Sequence, residues 1–235
     1  MYKVITHNIR EEHFGHPMTA EAGMMIHSNV KPTVGHMSSM ITYPMPDFTT
    51  SPRAVNFRMA VRNLLDKYLW RLRSYIISAI EGTEDMAIIE SEIFKVISSI
   101  TKVIDQYYGT AASLEFKRLL NDYSIRIIDE VRAIKSGRDT TNFDKTLSVD
   151  IDLLGDFLDK ANPNNWPKEA VKKIFKDLAK SFIDQALARK SKKWMDDILA
   201  SDDAQKIILV GNESMQPFSE IFAKGIINSF PENFK

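Results

Sequence analysis

The chain has 235 residues, and 31 Lys+Arg balance 31 Asp+Glu, so no net charge draws it toward nucleic acid or another polyanion. It contains no cysteine, which rules out disulfides, thiolate catalysis and Cys-ligated zinc. An apolar fraction of 44% against 26% charged residues belongs to a globular chain that buries a core.

Residues 1–50 differ from everything after them. All five histidines (His7, His13, His16, His27 and His36) lie here with most of the methionines, and Pro44-Met45-Pro46 blocks a helix. No period of 3.6 or 2.0 persists, which predicts an extended N-terminal arm. Met24, Met25, Met40, Tyr43 and Phe48 make it too apolar for a spacer, so the arm is expected to pack on its own domain, on a protein partner or on a neighbouring copy. His13 and His16 stand three apart, with Met18 and His27 nearby, a mixture of imidazole and thioether that suits copper. The competing reading is a packed arm, because H-x-x-H is a common pattern. The first residues carry charges and histidines where a signal peptide needs an apolar run, and no run is long enough to span a bilayer. An intracellular protein, or one within a macromolecular assembly, is expected.

From Ser51 onward the pattern is helical. Ser51-Pro52 is an N-cap followed by proline at the first helical position. Val61, Leu64, Leu65, Tyr68, Leu72, Tyr75, Ile76, Ala79 and Ile80 follow on one face, and Gly82 stops the helix. Thr83 is read as the cap of a second helix ending at Gly109, and a third runs from Thr110 to Gly137 with Leu114, Leu119, Leu120, Tyr123, Ile127 and Val131 inward. A fourth covers Phe143 to Ala161, and a fifth starts at Pro167, buries Val171, Ile174, Phe175, Leu178 and Phe182, and breaks near Ser191 before Trp194, Ile198 and Leu199. Ser201, Asp202 and Asp203 read as the start of a sixth helix, interrupted at Gly211 and Pro217. Leu64-Leu65-Asp66-Lys67-Tyr68 returns 55 residues later as Leu119-Leu120-Asn121-Asp122-Tyr123, and after another 55 as Ile174-Phe175-Lys176-Asp177-Leu178. The prediction is an all-α bundle of three tandem αα-hairpins, about six helices over residues 51–235, with the arm in front.

Arg73 with Ile76-Ile77-Ser78, Tyr108-Gly109, Asp152 with Phe157-Leu158, Asn162-Pro163, Gly225-Ile226, Phe230-Pro231 and Phe234 occur in that order. With these features the chain from about Ser51 to Phe234 resembles a family of small all-helical proteins of spore-forming bacteria. Some of them bear the name acetylglutamate kinase, yet lack kinase motifs. The resemblance implies a helical fold and no particular activity. Members tend to carry a Glu-His pair in the first helix of each hairpin, where three imidazoles could converge on a metal. Here those positions read Lys67-Tyr68, Asp122-Tyr123 and Asp177-Leu178, which suit packing.

Lys168, Lys172, Lys176 and Lys180 recur every four residues and form a basic row that could meet phosphates or an anionic lipid surface. The plainer reading is the solvated side of an amphipathic helix. Phosphate loops, G-x-S-x-G and H-E-x-x-H are absent, and no histidine follows His36, so no catalytic residue and no cofactor are expected. Tyr107, Tyr108, Trp166 and Trp194 are assigned to core or hairpin-end packing. The expected role is a non-catalytic structural or assembly protein, such as a virion component, whose arm docks onto neighbouring subunits. The alternative is a binding module, for metal through His13, His16 and His27 or for anionic surfaces through the lysine row.

Overall fold

The helical stripes of the sequence appear as seven α-helices in a computed structural model that describes residues 50–211 and 216–235. The arm's Met24, Met25, Met40, Tyr43, Phe48, His13, His16 and His27 lie outside the described residues. Helix α1 spans Pro52–Glu81, α2 Met86–Tyr108, α3 Thr110–Ser136, α4 Phe143–Ala161 and α5 Lys168–Lys190. Helix α6, Trp194–Gln205, passes into a π-helical turn at Lys206–Val210; α7 is Phe218–Ser229, and a 3-10 turn covers Pro231–Phe234.

The helix ends follow local chemistry. The Ser51 side chain accepts from the Ala54 amide at 3.1 Å and donates to the Phe234 carbonyl, so the cap of α1 also holds the end of the chain. Gly82 and Gly137 close α1 and α3 in the left-handed region, at φ 78 and 68. The corresponding turn after α5 contains Lys192 at φ 57, a conformation glycine adopts more cheaply. Two helix starts differ from the sequence reading. Thr83 does not cap α2: its hydroxyl binds Asp85 Oδ1 at 2.5 Å and the helix begins at Met86. Helix α6 begins at Trp194, so its first-turn acids are Asp196 and Asp197, and Asp202 and Asp203 fall in its last turn.

Helices α1, α3 and α5 touch one another and form the centre of the bundle. Around them α2 bridges α1 and α3, and α4 bridges α3 and α5. The return arm made by α6, the π-turn and α7 packs on α5 and then on α1, so the third hairpin closes back on the first. The central helices bury most of their predicted stripes, with Leu72, Tyr75, Ile76, Tyr123, Ile127 and Val131 all at 0% exposure. Burying each such aliphatic side chain contributes about 1.5–3 kcal/mol. Polar ties recur between successive central helices. Tyr68 bonds Ser124 at 2.8 Å, and Tyr123 donates to the Phe175 carbonyl at 2.9 Å. At the other end of the bundle Lys135 caps the Ile80 carbonyl and Lys190 caps the Ile134 carbonyl.

The end where the chain enters α1 is aromatic. Phe57, Tyr107, Phe230 and Phe234 form one cluster, with the Tyr107 and Phe234 rings stacked at 5.7 Å. Asn162 donates to the Gly225 carbonyl at 2.9 Å and to the Tyr108 hydroxyl at 3.2 Å. Trp166, wholly buried as expected, donates to the Ile221 carbonyl at 3.1 Å and stacks on Phe222 at 5.0 Å.

Candidate functional site

Two surfaces stand out from this body. The first is α6. Its inward face carries Asp197, Ala200, Ser201 and Ala204, all buried. Trp194, Met195, Ile198 and Leu199 point outward and are 48–65% exposed. Trp194 was assigned to packing in the sequence, and half of it lies in solvent instead. Asp197 explains the inversion. It accepts from Arg73 of α1 at 2.9 Å and from Arg189 of α5 at 2.8 Å, and Arg73 also reaches Gln185 at 3.0 Å. Countercharge from two helices satisfies this deep carboxylate, which fixes that face of α6 inward and leaves the apolar face outside. Arg189 further sits over the Trp194 ring at 5.4 Å, which holds the indole at the edge of the exposed face.

The second surface is a groove of about 1040 Å³ between α4 and α5, floored by α3. Gly155 marks where α4 and α5 come closest, beyond one end of the groove. A Cβ there would come within 2.8 Å of Lys172 Cγ and 3.3 Å of the Lys168 carbonyl, so glycine lets α4 lie close on α5 at that point. The groove lies toward the start of α4, between its Phe143–Ile151 half and α5. Ile134, Leu147, Ile151, Phe143 and Ile183 supply its apolar lining. Lys172, Lys176 and Lys180 of the predicted row stand on its rim, and Lys168 lies beyond it. Most of that row is neutralised in place. Lys168 pairs with Asp156 at 2.5 Å, Lys172 with Asp152 at 2.6 Å, and Lys180 with Asp184. Lys173, also on the rim, pairs with Asp177 at 2.5 Å. Lys176 alone of the row has no ion pair among the described residues.

Glu130 of α3 also lines the groove, at 8% exposure. Burial raises its carboxyl above the usual range, a hydrogen bond from Thr140 partly offsets this, and the charge of Asp144 adds to the rise. Sequence reasoning passed over it, although the signal was present: Glu130 stands three after Ile127 and four before Ile134, a carboxylate inside an apolar stripe. The buried position of Asp197 is hidden in the sequence for a related reason, since the visible apolar pattern of α6 marks its outer face.

The positions where the resembled family carries histidines fall in the core. Tyr68, Tyr123 and Leu178 are 2%, 0% and 1% exposed, and both hydroxyls are hydrogen-bonded. Among the described residues no group of three or more His, Cys, Asp or Glu is placed to hold a metal ion, and no helix is long and apolar enough to cross a membrane. Compared with family models, curated proteins and solved structures, the chain finds no match.

Proposed function

We propose that the chain is a non-catalytic structural or assembly protein, a closed helical body that packs against further copies of itself through the outer face of α6. The observation that carries this reading is the inverted helix. Four large apolar side chains on consecutive turns are left in solvent while alanine, serine and aspartate occupy the inside. Contiguous apolar surface of this kind marks an interaction site more often than scattered exposed residues do. A second copy suits it, because chains with zero net charge approach without net repulsion and a two-fold contact covers the patch on both. The arm of residues 1–50 is the second contact element in this reading, with Met24, Met25, Met40, Tyr43 and Phe48 as its adaptable apolar side chains. The 55-residue spacing fits the same picture. A body built from three similar hairpins supplies shape, and its deep ionisable groups Tyr68, Tyr123 and Asp197 are committed to structural bonds. The pairing of three of the four row lysines weighs against an anionic surface as the partner.

Solution mass tests this directly. The full chain is expected to be larger than a monomer, and the Trp194→Ser/Ile198→Ser variant to shift toward monomer with its helical signal unchanged. A chain beginning at Thr50 reports the arm's share of the assembly. A full chain that stays monomeric at high micromolar concentration overturns the proposal.

A further inference from the structure

The groove between α4 and α5 has no role in the assembly just described, and its charges are unevenly satisfied. On the α5 side Lys172, Lys173 and Lys180 each hold a carboxylate already. On the α3 and α4 side Glu130 and Asp144 have no ion pair among the described residues; Glu130 is more than nine-tenths buried and Asp144, beside it, is exposed. A buried carboxylate without countercharge is costly to ionise, so a cation brought to it is bound more strongly than one met in water. Next to these acids lies an apolar lining that includes Leu147, Ile151 and Ile183. The volume of about 1040 Å³ matches the upper range of pockets that take small organic ligands.

We propose that this groove binds an amphiphilic amine, with its apolar chain on Leu147, Ile151 and Ile183 and its ammonium group against Glu130 and Asp144. An amphiphilic anion is the obvious rival, since Lys176 stands unpaired on the rim. Lys176 is exposed and well hydrated, and so gains little from an ion pair. Glu130, mostly buried on the groove wall and without an ion pair among the described residues, gains more.

Three probes of equal chain length separate these cases: decylamine, decanol and decanoate, titrated into the full, methyl-labelled chain at neutral pH and followed by NMR. The methyls of Leu147, Ile151 and Ile183 are expected to shift at concentrations about tenfold lower for decylamine than for decanoate, the difference that a charged hydrogen bond supplies. In the Glu130→Gln/Asp144→Asn variant the amine is expected to lose that advantage and match decanol. Glutamine keeps the shape of the side chain and removes a strained charge, so the variant is expected to fold. Decanoate binding as tightly as decylamine overturns the proposal. So does an amine preference that survives the double substitution, or shifts confined to Ile198 and Leu199 on α6.

Discussion

Tyr68, Tyr75 and Tyr123 carry phenols into the interior, at 2%, 0% and 0% exposure. Ser124 Oγ donates to the Leu120 carbonyl at 2.7 Å, so Tyr68 is the donor in its bond to Ser124, and a short relay runs from α1 into the backbone of α3. Burial raises all three phenols above their ordinary value of 10.0, Tyr75 to about 12 with Arg132 pulling it partly back. The fold therefore holds these protons more tightly than the unfolded chain does. Their contribution to stability is complete below pH 10 and is lost as pH rises toward the folded values, by about 1.4 kcal/mol per pH unit for each tyrosine in that window. Urea titrations at stepped alkaline pH are expected to show this decline, and Tyr75→Phe is expected to remove one tyrosine's share of the slope between pH 10 and 12. An unchanged slope in that variant would contradict the assignment.

Helices here meet at glycines, and the two close approaches differ in what they can tolerate. At Gly225 an added Cβ would lie 2.3 Å from Trp166 Nε1 and 2.7 Å from its Cε2. That indole is fixed by its bond to Ile221 and its stack on Phe222, so it cannot retreat without losing both. At Gly155 the nearest atom is Lys172 Cγ at 2.8 Å, near the base of that side chain, with the Lys168 carbonyl at 3.3 Å. Gly225→Ala is expected to destabilise by about 1–3 kcal/mol, the usual cost of overpacking. Gly155→Ala is expected to destabilise less, because the contact is looser and alanine recovers about 0.5–1 kcal/mol of helix propensity. Thermal melts of the two variants measure the order, and a costlier Gly155→Ala would show the α4–α5 approach to be the stiffer one.

The closed arrangement of α1, α3 and α5 has a consequence for how the whole molecule opens. In an open stack of hairpins each unit leans only on its neighbours and the end units fray first. Here α1 and α5 pack together and the return arm covers α1, so the first hairpin is enclosed like the second. Native-state hydrogen exchange is expected to give the slowest amides of α1, α3 and α5 one shared opening free energy. Release of α1 at much lower denaturant than α3 would mean that ring closure adds contact without coupling.

Sequence alone determined the helices of the first two hairpins and most of their buried stripes, because apolar residues at three- and four-residue spacing, stopped by Gly82, Gly109 and Gly137, give each helix one apolar face. It also carried the break at Gly211 and Pro217. Tertiary structure decided which face of α6 turns inward, since the partners of Asp197 come from positions 73 and 189, far away in the chain. It left Leu114 63% exposed, although the stripe of α3 counted it inward. It also decided the closure of the third hairpin on α1 and the groove that exposes one side of Glu130. A periodic pattern says that a helix has an apolar side; what covers that side depends on helices brought together only by the fold.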